Sequence, residues 1–172
     1  MKLDLGCGQN KRADFIGIDF VQCGGVDIVH DLFTFPWPIE SGIVEEVHCS
    51  HFFEHVPAKI RFKFMDELHR VMKPGAKALF ITPYANSLRA TQDPSHEWPP
   101  ISENSYLYFN KKWREDNKLT HGNYESVCDF DFVYGYQQPT EWVIRHDESK
   151  QFAVKHYMNA VDDLHVTLIK RA

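Results

Sequence analysis

The chain predicts an α/β protein with an open, mostly parallel sheet and helices on both faces. Three observations carry this reading. A short apolar strand runs into two glycines at Leu3-Asp4-Leu5-Gly6-Cys7-Gly8, and a second, Ile16-Gly17-Ile18-Asp19, ends in a carboxylate. Further on, a helical stripe stops at Pro74-Gly75 and passes into an apolar run. Glycines without side chains let the chain turn sharply and let a ligand press on the backbone. A carboxylate closing the next strand is placed to accept hydrogen bonds from ribose hydroxyls.

Taken in order, Leu3 to Leu5 is the end of a first strand, with almost nothing before it. Residues 9–14 must supply the first crossover, too few for the usual helix of about ten or more, so a single turn is expected. Phe15 to Asp19 is the second strand. Val26 to His30, introduced by Gly24-Gly25, is the third, and Asp31 ends it. The loop Phe33 to Pro38 holds two prolines and cannot be helix. Val44 to Cys49 alternates as a fourth strand. Pro57 to Lys73 is the clearest helix, with Ile60, Phe64, Leu68 and Met72 on one stripe widened by Met65 and Val71. An i,i+4 pair of Asp66 and Arg70 is expected to support it. Ala76 to Thr82 reads as a buried parallel strand. Residues 84–125 break the rhythm with prolines and the aromatics Tyr84, Trp98, Tyr106, Tyr108, Phe109 and Trp113. A loop this long inside one domain, 1–172, reads as a substrate or lid loop, with a short helix near 103–116. Phe130 to Tyr136 and Leu164 to Ile169 are two further strands, with a helix over 149–160.

Composition narrows the function classes. A chain of 172 residues with 43% hydrophobic and 25% charged residues suits one globular domain. A net charge of −5 offers no basic field for nucleic acid. Cys7, Cys23, Cys49 and Cys128 are scattered, with no CxxC pair, which indicates neither a zinc ribbon nor a redox motif. A reduced, cytoplasmic protein is expected, without signal peptide or membrane span.

These residues together resemble a known family. Leu3 to Gly8, Ile16 to Asp19, Asp27 to Leu32, and the segment from Ser50-His51-Phe52-Phe53-Glu54-His55-Val56 through Leu68 to Gly75 fall in the order seen in class I S-adenosylmethionine-dependent methyltransferases of the type 11 kind. The resemblance covers roughly residues 2–83. It implies a Rossmann-like sheet and S-adenosylmethionine as cofactor. It places Asp4, Gly6 and Gly8 around the methionine part, Asp19 at the ribose, Asp31 at the adenine amino group and Leu32 on the ring. Ser50 and His51 would border the methyl group. Asn10 stands where the family usually has a third small residue, and Asn tolerates unusual backbone angles. The early position of Asp19 argues against a nicotinamide cofactor, whose βαβ unit is longer.

His96 in Asp93-Pro94-Ser95-His96 is the first candidate general base and His55 the second, because imidazole titrates near neutral pH. His51 and His55 have a helical i,i+4 spacing that suits metal. The segment begins as a strand end, however, and no neighbouring Cys or carboxylate set completes a site, so no metal is expected. Lys111-Lys112-Trp113-Arg114 reads as a solvated basic face. Thr82-Pro83-Tyr84 only faintly resembles the Asn-Pro-Pro-Tyr motif of amino-methylating DNA enzymes and lacks its Asn. A small-molecule acceptor is therefore expected, with no nucleic acid and no membrane. The alternative is a non-catalytic S-adenosylmethionine-binding or partner subunit of the same fold, suggested by the minimal N-terminus.

Overall fold

The computed structural model describes residues 1–172, apart from the side chain of Asn123. Seven strands form one sheet in the order β3-β2-β1-β4-β5-β7-β6. They are β1 (Lys2–Leu5), β2 (Ile16–Asp19), β3 (Ile28–Val29), β4 (Val44–Ser50), β5 (Met72–Pro83), β6 (Phe130–Gln137) and β7 (Asp163–Lys170). β7 is antiparallel to both its neighbours, β5 and β6, and the other adjacent pairs are parallel. The chain moves outward from β1 to β3, then returns to the other side of β1 with β4. The reversal puts the topological switch between β1 and β4, where ligands of open α/β sheets bind at the carboxyl ends.

The main helix, α1 (Arg61–Val71), buries Phe64, Met65, Leu68 and Val71. It is shorter than the apolar period suggests. Pro57 is extended, and Ala58–Ile60 form a tighter 3-10 turn before α1 starts. At the other end Met72 is already extended, so β5 begins four residues ahead of Ala76, with a bulge between Met72 and Lys77 where the strand pairs with β4. The smaller helices are α2 (Arg89–Gln92), α3 (Lys111–Asp116), α4 (Thr140–Val143) and α5 (Asp147–His156). A 3-10 helix, Glu103–Phe109, precedes α3. Among the described residues no helix is long and apolar enough to cross a membrane.

Two side-chain expectations are corrected by tertiary partners. Asp66 does not pair with Arg70. Its Oδ1 accepts hydrogen bonds from Ser126 Oγ, Val127 N and Cys128 N, fixing the entry to β6. Arg70 instead pairs with Glu67 at 2.6 Å. Arg114 is not on a solvated face: it is 3% exposed and donates to the carbonyls of Tyr108, Ser126 and Cys128. A guanidinium has five donors in a fixed fork, so one buried side chain can tie several loop carbonyls together.

Between β1 and β4 no crossover contains a helix. Aspartates hold these loops. Asp4 Oδ2 accepts from Arg12 N at 2.6 Å, and Asp27 Oδ2 from Gly17 N at 2.7 Å. Asp31 Oδ1 accepts from Phe33 N at 2.9 Å. The short first crossover expected for residues 9–14 is observed. Asn10 keeps an ordinary backbone angle, and Asp14 takes the left-handed one with φ 64°.

The stretch 84–125 divides in two. Ile101, Tyr106 and Phe109 are buried in the core, with Tyr106 packing on Phe53, Phe80 and Phe132. Residues 101–116 therefore belong to the layer beside α1. Residues 84–100 flank the carboxyl ends of the strands. Arg61 ties them down, donating from Nη1 to Pro99 O at 2.6 Å and from Nη2 to Glu97 O at 3.0 Å.

Candidate active site

The glycine turn leaves β1 with Gly6 at φ 64° and Gly8 at φ 49°, a region that L side chains seldom enter. Asp19, at the end of β2, braces this turn. Its Oδ2 accepts from Gly8 N at 3.0 Å and its Oδ1 from Val21 N at 3.1 Å. Asp4 lies one strand deeper and is 3% exposed. Its two oxygens are committed to Arg12 N and to His48 Nδ1 at 2.8 Å. Beside the turn, burial first and the Asp4 charge second push the Cys7 thiol up to about 11, so it stays protonated and unreactive at neutral pH.

A slot of about 400 Å³ opens next to Asp19 and is lined by Asp19, Phe20, Asp31, Leu32, Phe33 and Phe52, together with His30, His55 and Ser95. Its walls are apolar and aromatic, with a carboxylate at two positions, a combination suited to a flat ring carrying polar substituents. Leu32 is buried, and its carbonyl accepts from Trp37 Nε1 at 3.1 Å. Asp31 shapes its own turn while lining the slot.

Beyond β4 a second cavity of about 270 Å³ is lined by His51, Glu54, His55, Pro83, Arg89, Asp93 and His96, among others. His55 lines both spaces, so they adjoin. His51 takes a left-handed angle, φ 52°, and its amide donates to Ile81 O at 2.8 Å, which turns the chain off the end of β4. The His51 ring lies between two buried carboxylates: Nδ1 is 3.4 Å from Glu54 Oε1 and Nε2 is 3.7 Å from Asp163 Oδ2. Glu54 above all raises its pKa, against the opposing effect of burial. Arg89 Nη1 donates to Asp163 Oδ2 at 3.2 Å. His96 reaches the cavity from the 84–100 segment, and its ring meets His55 edge-on at 4.8 Å.

The structure thus gathers His51, His55 and His96 with Ser50 at one end of β4. Sequence reading missed Glu54, Arg89 and Asp163. A glutamate beside a histidine in a helix entrance gives no sign of burial, and Asp163 approaches from the far end of the chain. A roomier cavity of about 770 Å³ lies elsewhere, among Tyr84, Glu103, Tyr134, Tyr136 and α5, and shares no lining residue with either space.

A glycine turn at β1, a carboxylate at β2 and a crevice at the switch point define a nucleotide-cofactor enzyme of the open α/β class. Residues 2–130 match the model of the methyltransferase domain family. The chain belongs to that family, whose methyl donor is S-adenosylmethionine. No curated protein matches the sequence. Among solved structures, the chain is similar to a SAM-dependent methyltransferase from Archaeoglobus fulgidus, with TM-score 0.68 and 17% identity over 98% of this chain and 85% of that one. A SAM-dependent methyltransferase from Mesorhizobium loti gives TM-score 0.55 and 13% identity, covering 98% and 90%. Phosphoethanolamine N-methyltransferase 2 from Haemonchus contortus, solved with S-adenosyl-L-methionine, gives 0.52 and 14%, covering 99% of this chain and 48% of that chain. At these identities the likeness is one of fold.

Proposed function

We propose that the chain methylates a small-molecule acceptor that enters beside His51, His55 and His96. The observation that carries this reading is the junction at His55 of an aromatic, carboxylate-flanked slot and a polar cavity. The residues fit the cofactor. The slot has flat apolar walls for adenine, with Leu32 beneath the ring and Asp31 at the amino group. Asp19 receives the ribose hydroxyls. Gly6 and Gly8 let the methionine part approach the backbone, and Ser50 and His51 border its methyl end. Asp4 works through the loop, holding Arg12 N so that the glycine turn keeps its shape. When bound, S-adenosylmethionine supplies an electrophilic methyl on a positive sulfur. The chain's own work is to align the acceptor and exclude water, the larger part of catalysis in such transfers. His96 first, or His55, takes the proton where the acceptor must lose one. The net charge of −5 favours a small acceptor over a nucleic acid, and the four free cysteines favour a reducing, cytoplasmic setting.

Calorimetry with S-adenosylhomocysteine and S-adenosylmethionine, with NAD as control, tests the reading. Micromolar binding of both sulfur ligands and none of NAD is expected. Failure of both sulfur ligands to bind would overturn it. Tight binding with no turnover across an acceptor panel would favour the non-catalytic subunit.

A further inference from the structure

We propose that Glu54, His55 and His96 form a divalent metal site at the acceptor end of the cofactor slot. The inference rests on the reading of that cavity as the acceptor side.

One ligand atom from each of the three residues falls within 4.8 Å of the others. Two imidazoles and a carboxylate are a common donor set for Zn²⁺, Mn²⁺ or Fe²⁺. Donors about 2.0–2.2 Å from one ion lie about 3.3–3.6 Å apart in a tetrahedral set, so the three side chains must draw in by roughly an ångström to close on it.

Independent observations point to a ligand here. Glu54 is only 5% exposed and lines the cavity, yet neither carboxylate oxygen accepts a hydrogen bond. His51 Nδ1 stands 3.4 Å from Oε1 as an ion-pair partner, a loose contact that leaves Oε2 with no partner at all. A buried carboxylate left this way is costly unless something positive meets it. Both histidines are also oriented for metal. His55 Nδ1 lies 3.2 Å from Ser95 O, and His96 Nδ1 lies 3.2 Å from Ala90 O. A carbonyl only accepts, so the tautomers that satisfy these contacts carry the proton on Nδ1 and leave Nε2 its lone pair, with Ser95 Oγ a second neighbour of His55 Nδ1 at 3.3 Å. Backbone carbonyls commonly orient metal-binding imidazoles in this manner. Asp93 stands outside the set: its Oδ2 is 3.8 Å from His96 Nε2, and its Oδ1 accepts from Ser95 Oγ at 2.6 Å.

The consequence is a choice of acceptor. An ion with three protein ligands keeps open positions, and a hydroxyl or carboxylate oxygen of the substrate fills them. The ion lowers the pKa of a bound hydroxyl and holds it in place, taking over from imidazole the task of readying the acceptor. The site therefore favours an oxygen-bearing chelating acceptor over an isolated amine.

The test is Mn²⁺ binding to the full chain after treatment with a chelator, followed by electron paramagnetic resonance and calorimetry, with Zn²⁺ as competitor. One Mn²⁺ per chain is expected, displaced by Zn²⁺ and weakened at least tenfold in both Glu54→Gln and His96→Ala. His96 sits on a surface segment, so that variant is expected to fold even if Glu54→Gln does not. Asp19→Ala should lose S-adenosylhomocysteine yet keep Mn²⁺, which separates failure of the metal site from failure of the cofactor reading. Absence of stoichiometric binding, or binding unchanged in His96→Ala, would overturn the proposal.

Discussion

Asp19→Ala is expected to weaken S-adenosylhomocysteine binding by about 100-fold or more while leaving the fold intact. Two ribose hydroxyls donating to an ionised carboxylate contribute about 1.5–3 kcal/mol each, and about 1.4 kcal/mol corresponds to a factor of ten. The substitution also releases Gly8 N and Val21 N, both held by this carboxylate, so the glycine turn loses its brace. Asp19→Asn keeps an acceptor and should fall between the two. The measurement is calorimetric titration with circular dichroism as a fold check. A folded Asp19→Ala protein that binds within threefold of wild type would remove Asp19 from the cofactor site.

Gly6→Ala should give the largest loss of stability in the cofactor turn. A Cβ there would lie 2.2 Å from Phe52 Cδ2 and 2.5 Å from Cγ, on a residue with φ +64°. The left-handed angle alone costs about 1–2 kcal/mol for a residue with a Cβ, and overpacking adds about 1–3 kcal/mol. For a domain of this size the sum corresponds to a fall in Tm of roughly 10 °C. Gly8→Ala is the matched control. Its φ is +49°, but nothing lies within 4 Å of the added Cβ, so only the angular penalty applies. Scanning calorimetry of the two variants separates the terms. Equal losses would mean that Phe52 moves aside freely and that Gly6 is required for its angle alone.

The sheet and the cofactor turn were legible because their signals are local. Alternating apolar residues, two glycines and a strand-ending Asp19 sit within one short stretch, and the brevity of residues 9–14 excluded a helix by length alone. The third strand was read too long, since an edge strand pairs on one side only, and β3 ends where its four-residue partner β2 ends. Charged side chains were the least legible. Asp66, Arg61 and Arg114 look like surface residues of amphipathic helices, and only distant partners at 126–128, at 97–99, and at 108, 126 and 128 reveal them as fasteners. The meeting of His55 with His96 was equally hidden. Forty residues separate them, and no period in the intervening loop indicates that it returns to the end of β4. Asp4 shows a different failure: its position in the motif was clear, but its partner His48 belongs to another strand, so its commitment to the loop was not.

The crossovers held by aspartates bear on how the gene tolerates change. A helix spreads its support over many backbone bonds, and most single substitutions on its surface leave them in place. In the first part of this chain the three connections lean on four carboxylates, Asp4, Asp19, Asp27 and Asp31, besides a few backbone bonds, and a single base change can remove any one of them. Mutational robustness should therefore be uneven along the molecule. A saturation scan of abundance is expected to find Asp4, Asp27 and Asp31 intolerant even of Asn, while exposed sites on α1 and α5 accept most residues. Tolerance at all three would mean that the loops hold their shape without them.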